Sequence, residues 1–364
     1  MRSDVDLTPV LFYTYKGNVQ KKTAQLFYVN TDKKTNFTPL FPGIKRMTMA
    51  QIDKTELFNS RAERHKANFH AHTTLSDGRR SPAEVEALYR SHGYDVLALT
   101  DHWRAGTATR AKSDFILLGG VEFATLNDSV DGMPECWHVV GLGVPEGLEQ
   151  SLPRTNTDPQ GLVDEIKNAG GFAVLAHPKW SLNTADRILR LRGIDAAEIW
   201  NTQSGLPYNP DKADSSAVLD PVFSAGKLIP LLASDDSHRY EKEACVASTV
   251  ICTDDFTPEG ILAAIKKGDS YATTGPQFSR VWIEDDRVFV ETETPCTFAC
   301  VNTNHPWLRG AVDCMFGSDG EPVERTSFSM AVGEGTTFLR VTVFDARGRR
   351  AWTNPVAIGE QHNR

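Results

Sequence analysis

The chain has 364 residues, of which 40% are hydrophobic and 24% are charged, as in a globular protein that buries a core. Its formal net charge of −8 argues against a protein that binds long nucleic acid through a basic face. No stretch reaches the roughly 20 apolar residues of a membrane-spanning helix, and the first residues lack a signal-peptide pattern. We therefore expect a cytoplasmic protein without a membrane partner.

The six cysteines are scattered along the chain without CxxC spacing. This pattern is typical of reduced, mostly buried thiols in a cytoplasmic protein. Zinc binding by Cys296 and Cys300 is the alternative, but the alternation in TFAC favours packing of these thiols in a strand.

Residues 1–65 contain two strand-like stretches, VLFYTY and TAQLFYVN, separated by the turn-like segment KGNVQKK. We predict an N-terminal β arm or hairpin that packs on the main body. The sequence does not indicate what this arm does.

From residue 66 to residue 275, apolar runs of strand length alternate with amphipathic stretches of helical period. SPAEVEALYRSHG predicts a helix, because Ser81 is a good N-cap, Pro82 suits the first turn and Glu84 completes a capping box. DPQGLVDEIKNAGG and TPEGILAAIKKGDS begin in the same way. The alternation predicts an α/β domain with a largely parallel sheet or barrel.

Residues 276–364 show strand patterns separated by turn residues, with no helical period. They predict a small antiparallel β-sandwich, and we place the boundary before it near TTGPQF.

Residue types that bind metals collect where the predicted strands end. They are His70, His72, His102, His177 and His238, with Asp77, Asp101, Glu122, Glu198, Asp235 and Asp236, and we add His138, which is near the start of its predicted strand. The C-terminal ends of parallel strands meet on one face of a sheet or barrel, so these side chains should converge. Any one of them has an ordinary explanation as a solvated or hydrogen-bonded residue, but their joint occurrence favours a metal site. His65, His92, His305 and His362 lack this placement.

The chemistry of these residues limits which metal ions are suitable. Imidazoles mixed with carboxylates suit Zn²⁺, Fe²⁺ or Mn²⁺. A carboxylate such as Glu122 is able to bridge two ions, so we expect more than one. For Asp101 and Asp235 we favour helix capping or the orientation of a ligating imidazole over direct ligation.

The motifs HAHTTLSDG, LALTDH, GVEF, AHP and SDDSH, in this order, resemble those of the PHP superfamily, named for polymerase and histidinol phosphatase. The resemblance covers residues 66–275 and implies a distorted (β/α)7 barrel with two or three divalent metal ions, Mn, Fe or Zn. It implies three ligand sets: His70, His72, Glu122 and Asp236; Glu122, His138 and His177; and Asp77, His102 and His238. Some members have a histidine where this chain has Asp77, so occupancy of the third site stays open. The tail resembles the β-rich extension of PHP proteins related to a carbamate-hydrolysing branch.

The resemblance implies a phosphoesterase in which a metal-bound hydroxide hydrolyses a small phosphate mono- or diester, such as a phosphorylated metabolite or a nucleotide. His102 or His238 would protonate the leaving oxygen. Lys179, Asn201 and Arg239 are candidate contacts of the substrate, with ordinary surface polarity as the alternative. Trp103, Trp180 and Trp200 either shape a pocket or pad the rim, and padding is favoured.

Two other functions remain open. The first is a metal-dependent hydrolase of a carbamate, ester or amide. The second is a non-catalytic PHP-type module, although every expected ligand position is filled here. The chain contains neither a GxxxxGK[ST] phosphate loop nor a GxSxG nucleophile motif. The substrate, the oligomeric state and the roles of the N-terminal arm and C-terminal sandwich are not indicated.

Overall fold

The computed structural model describes residues 55–130, 133–152, 158–209, 211–305 and 312–359, together with the backbone of two strands at 7–13 and 24–30. The side chains of residues 126–130 and 133–135 are outside this description. The chain divides into two compact units, Met1–Met49 and Ala50–Arg364. The predicted three-part division at residues 65 and 275 stays a prediction. In the described part of the chain, no helix combines the length and apolar character needed to cross a membrane.

The first unit contains an antiparallel hairpin of β1 (Leu7–Tyr13) and β2 (Ala24–Asn30). The register runs from Leu7 opposite Asn30 to Tyr13 opposite Ala24. The two strands agree with the stretches recognised in the sequence, whereas the predicted turn KGNVQKK lies outside the described residues.

The second unit alternates strands and helices before it becomes all-β. Its helices are α1 (Pro82–Ser91), α2 (Pro159–Asn168), α3 (Ala185–Arg190), α4 (Ser216–Ser224) and α5 (Pro258–Lys267). Its strands up to the fifth helix are β3 (Thr55–Glu56), β4 (Arg64–Asn68), β5 (Val96–Leu99), β6 (Arg110–Lys112), β7 (Phe115–Val130), β8 (Met133–Leu142), β9 (Phe172–Leu175), β10 (Ala196–Asn201), β11 (Leu231–Ser234) and β12 (Ser248–Cys252). The remaining strands are β13 (Ser270–Thr273), β14 (Phe278–Glu284), β15 (Arg287–Cys296), β16 (Phe298–Thr303), β17 (Val312–Cys314), β18 (Arg325–Ala331), β19 (Phe338–Phe344), β20 (Arg350–Thr353) and β21 (Val356–Ala357).

The three helices predicted from their capping signals are present. At the start of α1, the Ser81 side chain accepts from the Glu84 N–H, and the Glu84 carboxylate reaches back to the Ser81 N–H at 2.8 Å. Asp158 and Thr257 cap α2 and α5 in the same manner, each followed by proline. These caps satisfy N–H groups that have no partner inside the helix, which fixes where each helix begins.

Most strands of the second unit belong to one large mixed sheet of fifteen strands. Its main path runs β11-β10-β9-β8-β7-β5-β4-β12-β13-β20-β19-β16-β17. The pairs β10·β11, β9·β10, β4·β5 and β5·β7 are parallel, as predicted. The pairs β7·β8 and β8·β9 are antiparallel. Only two residues separate β7 from β8, so the chain turns back as a hairpin instead of crossing over through a helix.

The predicted distorted (β/α)7 barrel is not confirmed, because the large sheet follows an open path. The segments that follow its strands β4 and β11 do meet, however. The Asp236 N–H donates to the His70 carbonyl at 2.9 Å, and the His72 N–H donates to the Ser237 carbonyl at 3.0 Å. The ends of β4 and β11 therefore lie side by side.

The C-terminal strands form two facing sheets, in agreement with the antiparallel pattern of the sequence. One is the β13-β20-β19-β16-β17 end of the large sheet, and the other is a separate sheet in the order β18-β15-β14-β3. Phe278, Val290, Phe328 and Val341 belong to the apolar core that both sheets share. The six cysteines are free thiols, and Cys296 and Cys300 lie on β15 and β16 as packing in strands predicts.

Candidate metal centre

The side chains singled out at the strand ends converge at one edge of the large sheet. His70 and His72 follow β4, His102 follows β5, Glu122 lies on β7, His138 lies on β8, His177 follows β9, and Asp236 and His238 follow β11. His138 is near the start of its strand, whereas its partners are near strand ends. The antiparallel direction of β8 explains this difference, because the start of a reversed strand lies at the edge where its neighbours end.

The central group consists of His70, His72, Glu122 and Asp236, all buried. Nε2 of His72 lies 3.0 Å from Oδ1 of Asp236 and 3.2 Å from Oε2 of Glu122. Nε2 of His70 lies 3.3 Å from both of these oxygens and 3.2 Å from Nε2 of His72. Two imidazole nitrogens and two carboxylate oxygens therefore face one small volume, in a donor set that suits a divalent cation.

Several buried atoms of this group lack a hydrogen bond. They are Oε2 of Glu122, Oδ1 of Asp236 and Nδ1 of His72. A buried polar atom without a partner costs free energy, most of all on a charged group. The two oxygens and the two Nε2 atoms point at the same place, so a cation there would supply the missing partner.

The outer group adds Asp77, His102 and His238 on the more open side, and the remaining nitrogen of His72 faces it. Oδ2 of Asp77 lies 3.5 Å from Nε2 of His238 and 3.9 Å from Nε2 of His102. Oδ1 of Asp77 lies 3.6 Å from Nδ1 of His72. The structure thus brings together the three residues of the predicted third ligand set and adds His72 to them.

Glu122 connects the central group to a lateral group formed with His102 and His138. Its Oε2 lies 3.0 Å from Nδ1 of His102, and its Oε1 lies 2.7 Å from Nδ1 of His138. Nε2 of His177 is 3.2 Å from the same Oε1. The two oxygens of one buried carboxylate therefore face different sets of imidazoles, which is the arrangement of a bridging ligand.

The imidazoles and carboxylates of the central group stabilise each other's charged forms. Burial by itself would lower the pKa of His70, but Asp236 and Glu122 raise that pKa well above its ordinary value. Burial would raise the pKa of Glu122, and the surrounding imidazoles, led by His70, hold it well below its ordinary value. The pKa of Asp236 is lowered against its burial, chiefly by His70. Both carboxylates thus stay negative in a buried place, which favours any cation that enters.

The imidazoles of the outer and lateral groups differ in the direction in which their pKa is shifted. Burial would lower the pKa of His238, but Asp77 raises it to about 9. Burial would likewise lower the pKa of His138, and Glu122 raises it to about 10. The pKa of His102 is lowered because burial outweighs the attraction of its acidic neighbours. A neutral His102 and protonated His238 and His138 follow for the metal-free site near pH 7.

Two residues of the centre have a backbone conformation that side chains other than glycine rarely adopt. The φ angle is 27° at His177 and 56° at Asp236. Strained backbone of this kind is retained where the surroundings require it, frequently at functional sites. Here it directs two candidate ligands into the centre.

Asp101 and Asp235 hold the backbone around the centre. Asp101 accepts hydrogen bonds from the backbone and side chain of Thr73 and from Ser76. Asp235 accepts from Tyr89 and from the backbone of Cys245 and neighbouring residues, and burial raises its pKa to about 6. The described bonds of these aspartates therefore fix loops, where the sequence suggested caps or the orientation of an imidazole.

The three candidate substrate contacts have different surroundings. Arg239 is exposed, with its guanidinium 5.8 Å from the ring centroid of Tyr208. Lys179 is half-buried, and its backbone N–H donates to Ser215. Asn201 is fully buried beside the central group, with both ends of its amide hydrogen-bonded to protein groups. Burial makes Asn201 the least accessible of the three to a substrate.

The three tryptophans singled out in the sequence also have different surroundings. The ring of Trp180 lies 5.0 Å from the ring of His177 and 5.7 Å from that of His138, so Trp180 forms part of the wall of the centre. Trp103 packs on Phe123, and Trp200 packs on Trp352. These two agree with padding of the rim.

Glu198 has a role that sequence reasoning did not assign. It was one of the acidic residues at the sheet edge, and the structure places it 2.9 Å from Nδ1 of His70. The available signal was a carboxylate inside the apolar run of β10, a position where an unpaired charge would be costly.

Comparison with known proteins gives sparse results. No family model matches the chain. An uncharacterized protein of Methanocaldococcus jannaschii is 28% identical over 174 residues, which cover 43% of this chain and 91% of that protein.

Three of the similar solved structures are the following. A two-domain protein from Bacteroides vulgatus, said to contain a predicted PHP-like metal-dependent phosphoesterase, is 14% identical, with a TM-score of 0.47 over 87% of this chain and 99% of that chain. An amidohydrolase from Chromobacterium violaceum, with bound sulfate and no metal, is 16% identical, with a TM-score of 0.36 over 49% of this chain and 89% of that chain. A protein from Bifidobacterium adolescentis, ascribed to the metal-dependent phosphoesterases, is 16% identical, with a TM-score of 0.34 over 54% of this chain and 96% of that chain. Because all three TM-scores are below 0.5, the functional argument rests on the side chains of this chain.

Proposed function

We propose that the chain is a metal-dependent hydrolase of the PHP type that cleaves a small phosphate mono- or diester, such as a phosphorylated metabolite or a nucleotide. One observation carries the proposal. Buried carboxylate oxygens of Glu122 and Asp236, which have no hydrogen bond, face the imidazoles of His70 and His72 at 3.0–3.3 Å. A structural cluster would satisfy these atoms with donors, whereas a cation site needs them free.

The central group would hold one ion. Glu122 would share a second ion with His138 and His177, and Asp77 would hold a third with His102 and His238. Mn²⁺, Fe²⁺ and Zn²⁺ all accept this mixture of imidazole and carboxylate. When bound, such ions polarise phosphoryl oxygens and lower the pKa of water to about 7.

The residues of the chain contribute binding and proton transfer. His102 and His238 are more exposed than the histidines of the central group. Where they do not hold an ion, His238, whose pKa is raised to about 9, would give a proton to the leaving oxygen, and His102, whose pKa is lowered, would first have to take one up. Arg239 and Lys179 are cationic groups next to candidate ligands in the sequence, and they would bind the non-bridging oxygens of the phosphate. Trp180 would exclude water on the side of His138 and His177.

The proposal includes the PHP fold. Seven strands, β4, β5 and β7 to β11, run next to one another in the large sheet, and the segments after β4 and β11 are hydrogen-bonded. These bonds support a distorted (β/α)7 barrel that closes at the metal centre. A cytoplasmic location and a small-molecule substrate remain part of the proposal.

The test combines metal analysis with an activity screen. The purified chain is analysed for bound metals and assayed with Mn²⁺ against p-nitrophenyl phosphate, nucleotide bisphosphates and aryl carbamates. We expect bound transition metal and release of phosphate or p-nitrophenol from at least one phosphate ester.

The other outcomes separate the alternatives. Turnover of carbamates without any phosphate ester would overturn phosphoesterase activity and favour a carbamate, ester or amide hydrolase. Absence of both bound metal and activity after metal addition would favour a non-catalytic module.

A further inference from the structure

Glu198 lies on β10, directly behind the central group, and is almost fully buried. Its Oε1 is 2.9 Å from Nδ1 of His70. A carboxylate oxygen accepts hydrogen bonds, so the proton on this side belongs to Nδ1 of His70. In the neutral imidazole that binding of a cation requires, the lone pair is then left on Nε2, the nitrogen that faces Glu122 and Asp236.

The second oxygen of Glu198 is also engaged. Oε2 accepts the backbone N–H of His177 and the side-chain Nδ2 of Asn201, both at 2.8 Å. Two donors on Oε2 and one on Oε1 fix the carboxylate in a single orientation. Glu198 therefore supports a residue from each of two different candidate ion sites.

Asn201 extends this contact to Asp236. Its Nδ2 also donates to Oδ2 of Asp236 at 3.2 Å, and its Oδ1 accepts from the backbone and side chain of Ser204 at 3.0 and 2.9 Å. The backbone N–H of Ser204 is always a donor, so it determines which end of the amide is oxygen. With Oδ2 of Asp236 bound to Asn201, Oδ1 is the oxygen that faces the imidazoles of the central group.

We propose that Glu198 and Asn201 are positioning residues: Glu198 sets the tautomer of His70, and Asn201 fixes the orientation of Asp236, so that both present lone pairs to the same ion. This inference rests on the proposed metal site. Hydrogen-bond partners of this kind orient metal ligands, and their loss typically weakens metal binding about 10- to 100-fold. The inference removes Asn201 from the substrate contacts and gives it a role in metal affinity.

Glu198→Gln tests the tautomer directly, because the change preserves shape. The amide oxygen of the glutamine is expected in the place of Oε2, where His177 and Asn201 both offer N–H donors. The amide NH₂ then faces Nδ1 of His70 and donates to it. That imidazole must now carry its proton on Nε2, which directs an N–H into the central group where a lone pair was.

The experiment starts from chelator-treated, full-length protein and titrates it with Mn²⁺. We expect Glu198→Gln to bind its tightest Mn²⁺ about 10- to 100-fold more weakly than the unaltered chain, with an unchanged melting temperature before metal is added. Glu56→Gln is the matched control. Glu56 is a partly buried carboxylate that accepts from Ser60 and Arg280 in the separate sheet, and its loss should leave Mn²⁺ affinity unchanged.

Nitrogen-15 NMR of histidine in the Zn²⁺-loaded protein provides a second readout, which a purely structural role would not move. In the unaltered chain the imidazole of His70 should be protonated on Nδ1 and metal-bound through Nε2, and Glu198→Gln should lose that signature for His70. If Glu198→Gln does not fold, Glu198→Asp replaces it; this variant keeps an acceptor and should retain the tautomer with weaker binding.

The outcomes distinguish this inference from the proposed function. Equal Mn²⁺ affinity and an unchanged histidine signature in Glu198→Gln would overturn the positioning role while leaving the metal site intact. A fall in melting temperature with unchanged affinity would overturn it as well, because Glu198 would then be structural. Absence of metal binding in the unaltered chain would overturn the proposed function and this inference together.

Discussion

His72 is the residue that links two parts of the metal centre, because its two ring nitrogens face different groups. Nε2 faces Glu122 and Asp236, whereas Nδ1 faces Asp77 at 3.6 Å. A neutral imidazole carries a proton on only one of its two nitrogens, so its tautomer determines which of the two groups receives the lone pair. A cation in the outer group would therefore affect the central group through this ring.

The first prediction concerns the ligands of the central group. His70→Ala or Glu122→Ala should abolish both metal binding and turnover while leaving the fold largely intact, because each removes a donor atom that no neighbouring side chain replaces. Metal content, circular dichroism and turnover of the best substrate measure the effect. His92→Ala, which alters an exposed histidine at the end of α1, is the control and should behave like the unaltered chain. Full activity in either ligand variant would contradict the assignment.

The second prediction concerns Asp77, whose side chain is 55% exposed. Asp77→Ala should reduce the number of bound ions by one while the central group keeps its ion, because the outer group loses its only carboxylate. Metal stoichiometry after gel filtration in Mn²⁺ provides the measurement. An unchanged ion count would show that Asp77 does not hold a metal.

The sequence predicted the chemistry of single residues better than their contacts. Histidines and carboxylates were singled out because they recurred at strand ends, and the resemblance to the PHP superfamily reduced them to nine candidate metal ligands. The structure brings these nine to one place. Glu198 could not be given a role, since its partner His70 is 128 positions away and only the fold makes them neighbours. Asn201 was interpreted as a substrate contact because sequence does not show that its amide is buried.

At the scale of elements, the loop between β4 and α1 brings Asp77 to the centre through close contacts of its backbone. The N–H of Gly78 donates to the Thr73 carbonyl at 2.9 Å, and the N–H of Arg79 donates to the His238 carbonyl at 2.8 Å. A Cβ on Gly78 would overlap the carbonyl oxygen of His72. Glycine is required here for close approach of two backbone segments.

The third prediction follows from that approach. Gly78→Ala should destabilise the chain by about 1–3 kcal/mol, as overpacking typically does, and should weaken the ion site of Asp77 by displacing the loop. Urea unfolding and metal stoichiometry are the measurements. Gly93→Ala offers a comparison at the end of α1, where a Cβ meets nothing within 4 Å but the φ angle of 72° strains alanine. Loss of stability in Gly93→Ala alone would contradict the packing argument.

Elements with strong local signals were predicted, and those defined by tertiary contacts were not. The helix α1 was recognised from Ser81, Pro82 and Glu84, which fix its start without help from the fold. The helices α3 and α4 were missed: α3 has no side-chain cap bond, and α4 contains Pro221. The reversal of β8 was also missed, although the pair Asp131-Gly132 between β7 and β8 is a hairpin signal in the sequence.

At the scale of the second unit, a partly buried ion pair joins α4 to the C-terminal strands. The guanidinium of Arg340 on β19 is almost fully buried and donates to both carboxylate oxygens of Asp220, at 2.7 and 2.8 Å. A third bond reaches Thr342 at 2.8 Å. The paired arrangement compensates the guanidinium for the loss of water.

The fourth prediction concerns this pair. Asp220→Asn should reduce the free energy of unfolding by roughly 3 kcal/mol, because a buried guanidinium then lacks its negative partner. Arg340→Met combined with Asp220→Leu should recover much of that loss. Asp186→Asn, in the exposed pair with Arg190, is the control and should change stability by less than about 0.5 kcal/mol. A loss in the double variant as large as that in Asp220→Asn would contradict the explanation.

Strand β13 is paired on both sides, with β12 on one and β20 on the other, so the last quarter of the chain completes the sheet that bears the candidate metal centre. Cutting the chain after β13 would leave a row of backbone N–H and C=O groups open to solvent. Such a row recruits strands from other molecules and leads to aggregation. Removal of the C-terminal strands is therefore expected to promote self-association of the remaining sheet, so the two parts of this unit should be expressed and purified together.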